Sequence, residues 1–168
     1  GYRGFRLFFH SIFQPSKRIL FLRVMNAPKD KDIVLQQFNA ACKGTLMETL
    51  NINYVDADPA TGKLVATMPV DSRVYQPMKI LHGGATVALA ESVGSAASQM
   101  LIDPTKEAAV GLEISANHVK SARTGMLIAT AECLHKGRTS HLFQIRVTNE
   151  QGELISVVKL LNFIKQRR

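Results

Sequence analysis

Apolar and polar positions change period twice along this chain, and the changes mark its elements. From Asp30, Ile33, Gln36, Gln37 and Ala40 follow helical spacing, with Asp32 expected as the N-cap and Lys43-Gly44 as the stop. Residues Thr45 to Asp56 then read as a strand, closed by the turn cluster Asp58 to Gly62. In the following strand, Lys63 to Val70, the residues Leu64, Ala66, Met68 and Val70 all point one way. A loop from Asp71 to Ile80 leads to a long helix expected over Gly84 to Ile102, ending before Asp103-Pro104. Period two returns in four more strands, Ala109–Val119, Gly125–His135, Ser140–Asn149 and Glu153–Ile164. In the first, Leu112, Ile114 and Ala116 alternate with Glu113, Ser115 and Asn117. In the third, Phe143, Ile145 and Val147 oppose Leu142, Gln144 and Arg146. Antiparallel strands with one dominant helix specify an α+β domain.

The long helix is small and apolar almost throughout, with Ala85, Ala88, Ala90, Gly94, Ala96 and Ala97 keeping it narrow. Its one acid is Glu91, which shares a face with Ser95 and Ser98. A carboxylate there is either an ordinary surface charge or a group with a chemical task. Just upstream, Gly83 and Gly84 lie where a helix leaves its first N–H groups unpaired and its positive dipole end exposed. Such a terminus can polarise a carbonyl oxygen.

These residues carry a resemblance. Leu81-His82-Gly83-Gly84-Ala85, followed by Leu89-Ala90-Glu91-Ser92-Val93-Gly94-Ser95, resembles the active-site region of the hotdog-fold thioesterases. So does the later run Val110 to Ala122, which contains Asn117-His118-Val119-Lys120-Ser121. The resemblance covers about residues 40 to 165. It lies nearest to the 1,4-dihydroxy-2-naphthoyl-CoA hydrolases and the thioesterases that edit aryl-carrier-protein intermediates. It implies an antiparallel curved sheet wrapped around one long central helix, and hydrolysis of an aromatic or bulky acyl-CoA.

Residue by residue, the resemblance implies that the Gly83 N–H and Gln76 orient the thioester oxygen. Glu91 would be the nucleophile or the general base, with Ser95 holding the attacking water or orienting Glu91. His82 has two open readings, a structural hydrogen bond that fixes the Gly-Gly turn or a direct substrate contact. His118 would line the acyl or pantetheine region and Lys120 would lie near the nucleotide phosphates; without the resemblance Lys120 is a solvated charge. Arg138, Thr139 and Ser140 form a basic, hydroxyl-bearing turn suited to phosphate or pantetheine, or simply a tight hairpin, and Arg123 could add charge nearby. In this family Gln76 and His82 face Glu91 of the partner subunit, so a homodimer is the minimal active unit and a tetramer is expected.

Charge changes this picture little. The net charge of +8 is concentrated in residues 1–24, which hold five basic residues and no acid, against 16 basic and 13 acidic in the remainder. That leader is broken by Pro15 and is a poor secretory signal. It would also fit a transit peptide or a basic membrane-surface helix. We set it aside as a basic extension that need not be native, with Met25 opening an ordinary polar N-terminus and residues 25–168 forming the domain. The basic residues lack the aromatic interleaving of a nucleic-acid platform, and no apolar run approaches the roughly 20 residues of a membrane span. Two cysteines, Cys42 and Cys133, fit a reducing, cytoplasmic setting and have no metal-ligand spacing; no second His or Cys accompanies His82, so no metal is expected. No cofactor is expected either, coenzyme A being part of the substrate. Three alternatives stay open: a broad-range or proofreading thioesterase, a non-catalytic acyl-CoA-binding module, and a hydratase or dehydratase on the same fold.

Overall fold

A computed structural model describes residues 30–167. The leader and the expected domain boundary at Met25 lie outside the described residues. Helix α1 (Lys31–Ala41) and the one-turn helix α2 (Leu46–Thr49) precede strands β1 (Asn53–Asp58) and β2 (Lys63–Pro69). A 3-10 turn at Ser72–Val74 and a loop lead to α3 (Gly83–Met100), followed by β3 (Glu107–His118), β4 (Met126–Lys136), β5 (Ser140–Thr148) and β6 (Leu154–Gln166). The six strands form one sheet in the order β1-β2-β4-β5-β6-β3, antiparallel at every step.

The alternation fixes which face packs inward. Leu64, Ala66 and Met68 of β2, Leu127, Ala129 and Ala131 of β4, and Phe143, Ile145 and Val147 of β5 are completely buried. Against them lie Leu89, Ala90, Val93 and Ala97 of α3, also completely buried. This helix touches all five strands from β2 to β6. Five flat strands would span about 19 Å, whereas a helix is about 10 Å across, so the sheet must curl around it. Small residues permit the close approach: a Cβ on Gly94 would stand 2.7 Å from Leu160 Cδ2. The α+β expectation, one central helix in a curved antiparallel sheet, therefore holds.

Two local expectations fail. Thr45–Asp56 is not a continuous strand; α2 occupies its first third, and β1 begins only at Asn53. Thr45-Leu46-Met47-Glu48 carries the Thr-x-x-Glu pattern that opens a helix, and the Glu48 carboxylate accepts from the Gly44 N–H at 2.6 Å. The cap of α1 is Asp30 rather than Asp32, whose N–H donates to the Asp30 carboxylate at 2.8 Å. Helix α1 covers the β1 edge: the Asn39 side chain accepts from the Tyr54 N–H (2.8 Å) and donates to the Tyr54 carbonyl (2.9 Å). At the opposite edge, β3 pairs only with β6 among the described residues, and Val110 (49%) and Leu112 (65%) are exposed.

Inside the helix–sheet interface lies a small polar layer. His141, 1% exposed, shares a 2.8 Å hydrogen bond through Nδ1 with the Ser98 hydroxyl, and Asn162, its neighbour across β6, donates to the Gly94 carbonyl at 3.4 Å. Burial holds the His141 ring below its ordinary pKa, with Lys136 adding to the depression and Glu107 opposing it. The folded state thus binds this proton less readily than the unfolded chain. Stability should be full above about pH 6.5 and fall as the pH drops from there through the depressed folded-state value. Melting temperatures from pH 7.5 to 5 should show this drop in the wild type and a shallower one in His141→Gln.

Candidate functional site

The amide inventory at the start of α3 organises the site. A helix leaves its first N–H groups without intrahelical acceptors. Here His82 serves as the N-cap: its Nδ1 accepts from the Gly84 N–H at 2.8 Å, and its carbonyl accepts from Ala85 (3.0 Å) and Thr86 (3.3 Å). That leaves the Gly83 N–H, which takes no acceptor among the described residues and borders a cavity of about 340 Å³. The His82 ring thus makes a hydrogen bond within the Gly-Gly turn. Because Nδ1 accepts, the ring proton of neutral His82 resides on Nε2.

Gln76, His118, Lys120 and Ser121 line the same cavity. Gln76 sits in a small closed loop: its N–H donates to the Ile80 carbonyl (2.9 Å), and its carbonyl accepts from Lys79 (2.9 Å), which adopts a left-handed φ of 57°. The Tyr75 hydroxyl pins this loop to the Arg123 carbonyl at 2.6 Å, and the Leu81 N–H donates to the Ala122 carbonyl at 2.9 Å. His118 comes from the end of β3. Ser156 donates to the Asn117 carbonyl at 3.1 Å and lies 3.2 Å from His118 Nδ1, a pattern that makes Nδ1 the donor. The other ring nitrogen of His118 faces Gly83, where a Cβ would lie 2.7 Å from Nε2. Only glycine leaves room there. Lys120 pairs with Glu153 at 2.5 Å, both side chains half exposed; this contact, with Asn149 beside it, draws the Glu153 carboxyl below its usual pKa.

Glu91 is elsewhere. It is exposed and borders a second, more apolar cavity of about 410 Å³ with Phe38, Met47, Tyr54, Ser92 and Ser95. Eight residues of helix separate Glu91 from Gly83, about 12 Å of rise, so one chain cannot bring both to one carbonyl group. The Glu91 carboxylate lies against the open-edge strand β3, where a Cβ on Gly111 would be 2.9 Å from Oε1. The Ser95 hydroxyl is 3.4 Å from Asn162 Oδ1. Ser98, expected on the Glu91 face, is instead completely buried against His141.

Arg138, Thr139 and Ser140 form the β4–β5 hairpin, closed by the Gly137 N–H to the Ser140 carbonyl at 2.8 Å. Ser140 pairs with Phe163 of β6, whereas His118 pairs with Ser156. Seven residues of strand put the hairpin about 23 Å from His118 along the sheet, so one chain does not gather it with Lys120. Sequence reasoning missed Phe38, Met47 and Tyr54, which wall the Glu91 cavity. For Phe38 the signal was the amphipathic spacing of α1, which marks a buried face but not what it borders; Met47 in α2 and Tyr54 in β1 had none. The Tyr54 hydroxyl donates to the Ser92 carbonyl at 3.1 Å, and burial pushes its pKa far above the usual phenol value. The described residues contain no group of three or more His, Cys, Asp or Glu placed to hold a metal, and no described helix is long and apolar enough to cross a membrane.

Comparison with known proteins agrees with this architecture. Residues 78–156 match the Thioesterase superfamily. The chain is 41% identical to the 1,4-dihydroxy-2-naphthoyl-CoA hydrolase of Escherichia coli over 80% of this chain and 96% of that protein. It is also 41% identical to the proofreading thioesterase EntH of Cronobacter turicensis, over 73% of this chain and 87% of that one. Among solved structures, a mutant of thioesterase PA1618 from Pseudomonas aeruginosa superposes with a TM-score of 0.78 at 37% identity, covering 86% of this chain and 99% of the other. The chain belongs to the thioesterase superfamily and is a thioester hydrolase of the hotdog fold.

Proposed function

We propose that this protein hydrolyses an aromatic or similarly bulky acyl-CoA to the free acid and coenzyme A, with 1,4-dihydroxy-2-naphthoyl-CoA, an intermediate of menaquinone synthesis, as the first candidate. One observation carries the reading: the single uncommitted N–H at the start of α3 opens into a cavity with Gln76 and His118. A thioester oxygen placed there gains a donor aligned with the charge that develops as the carbonyl becomes tetrahedral.

The attacking group is Glu91 of the partner subunit. Its separation from Gly83 within one chain, together with the open apolar edge of β3 beside it, supports a site completed by a second copy. As a base, Glu91 takes a proton from water, the hydroxide adds to the carbonyl carbon, and the tetrahedral oxyanion rests on the Gly83 N–H until the CoA thiolate leaves. As a nucleophile, its carboxylate adds to the carbonyl and displaces the CoA thiolate to give a mixed anhydride, which water opens to the free acid and the regenerated carboxylate. Ser95, one turn further along, orients the water or the carboxylate. The homodimer is the minimal unit, tetramers are compatible with it, and a cytoplasmic location fits a substrate made inside the cell.

Relatives named for naphthoyl-CoA hydrolysis and for proofreading are equally similar, at 41% identity, so the acyl group must be read from rates. The test is thiol release from 1,4-dihydroxy-2-naphthoyl-CoA, benzoyl-CoA, hexanoyl-CoA and palmitoyl-CoA. The aromatic substrates should exceed the aliphatic ones by about 10-fold or more in kcat/KM. Comparable rates on benzoyl and hexanoyl groups, with turnover of aryl-carrier-protein thioesters, would favour the editing enzyme. Tight CoA binding without hydrolysis of any thioester would overturn the enzymatic reading.

Lys120 flanks the same cavity as a phosphate partner. Lys120→Ala should raise KM for the CoA thioester by about 3- to 10-fold with kcat nearly unchanged, and the difference should shrink in 0.5 M salt. Initial rates at two ionic strengths check this.

A further inference from the structure

One polar group in the first cavity is unexplained by the roles above. Thr86, 1% exposed, lines that cavity with Gly83, and its hydroxyl is the buried side-chain oxygen that lacks any hydrogen-bond partner among the described residues. A helical threonine normally satisfies its hydroxyl on the carbonyl four residues earlier. For Thr86 that carbonyl belongs to His82 and already accepts two amides, from Ala85 and from Thr86 itself. Buried hydroxyls without partners are uncommon and costly, and one that borders a ligand cavity is a candidate for pairing with the ligand. Gly83 and Thr86 are three residues apart and so share a helix face.

We propose that Thr86 is a specificity-determining residue whose hydroxyl binds an oxygen substituent on the acyl group. The inference rests on the thioesterase reading, in which the thioester oxygen sits at the Gly83 N–H. Thr86 lies about 4.5 Å further along the helix axis, so it meets the acyl group rather than the thioester itself. An oxygen on the ring carbon next to the acyl carbonyl falls in that interval. A hydroxyl can both donate and accept, so it pairs with a phenol or a keto oxygen alike. An unsubstituted ring would leave Thr86 unpaired, and a site built to hydrogen-bond a substrate oxygen discriminates against the analogue that lacks it.

The experiment compares two non-hydrolysable thioethers, 2-hydroxyphenacyl-CoA and phenacyl-CoA, by calorimetry on wild type, Thr86→Val, Thr86→Ala and Thr86→Ser. The ratio of kcat/KM for 2-hydroxybenzoyl-CoA over benzoyl-CoA is measured alongside. Wild type should favour the hydroxylated member by about 10-fold or more in both assays; Thr86→Val and Thr86→Ala should erase that preference, and Thr86→Ser should keep most of it. The alanine and serine variants carry the test if valine impairs folding. Equal loss on both members, or a preference that persists in the valine and alanine variants, overturns the proposal, as does a wild type with no preference. If wild type hydrolyses neither thioester but the binding preference follows the Thr86 hydroxyl, the hydrolytic reading fails and the Thr86 assignment stands.

Discussion

Replacing Glu91 with alanine is expected to lower kcat by about two orders of magnitude or more, the usual scale for a lost general base or nucleophile. The melting temperature should stay within about 2 °C, because the side chain is exposed and pairs with no cation among the described residues. That combination separates a chemical role from a structural one. KM should change little, since in the proposed site Glu91 meets the reacting carbon and not the nucleotide. Glu91→Gln keeps the shape and removes the charge, so it should lose a similar factor. Rapid-quench single turnovers then distinguish the routes: a nucleophilic Glu91 is transiently acylated by the substrate's acyl group, and a general base is not.

Gly83→Ala should be the most damaging change in the other half of the site, with kcat/KM falling about 100-fold. The backbone φ at Gly83 is not in the left-handed region, so alanine is tolerated by the main chain and even favours the helix. The harm is local. The new methyl would lie 2.7 Å from His118 Nε2 and 3.0 Å from Cδ2, so the imidazole must leave its place beside the free amide. His118 cannot swing away without giving up Ser156, which ties its Nδ1 to the Asn117 carbonyl. Kinetics and a melting curve on the same preparation check this. Activity within about 3-fold of wild type would remove Gly83 and His118 from the account.

The parts of the fold legible in the sequence are those where one physical signal acted alone. Period two in Leu64, Ala66 and Met68, and again in Phe143, Ile145 and Val147, placed those residues inward because a sheet packed on one face leaves no other choice. The long helix was legible from its length and its small residues. Thr45–Asp56 misled because its apolar content fits a strand, while the local pairing of Gly44 with Glu48 favours a turn of helix. Ser98 misled for a different reason. Helical spacing puts it in line with Glu91, but the sheet covers the last third of that stripe and leaves the first part exposed, and spacing alone carries no information about which strand lies over it.

The site was legible from the residues as a set, and its arrangement was implied only by the family resemblance. His82, Gly83, Gln76 and His118 meet because the helix start, the closed loop at Gln76–Ile80 and the end of β3 converge. Residue spacing puts about 12 Å of helix rise between Gly83 and Glu91, and only the family resemblance assigns Glu91 to the partner subunit. Thr86 had no sequence signal, since its hydroxyl is exceptional only once the N–H groups that donate to the His82 carbonyl are counted. Arg138, Thr139 and Ser140 illustrate the converse: a plausible anion-binding composition on a hairpin that lies far from Lys120 within the chain.

If Glu91 of one subunit works on a carbonyl held by Gly83 and Gln76 of the other, two inactive variants should complement each other when mixed. Glu91→Ala and Gly83→Ala chains, differently tagged, are co-refolded and the mixed dimers isolated through both tags. Each mixed dimer contains one site with an intact Glu91 opposite an intact Gly83, and one site lacking both. The mixed dimers should recover about half the wild-type kcat per dimer, with each parental homodimer remaining near its own low rate. Mixed dimers that form and stay as inactive as their parents would contradict this.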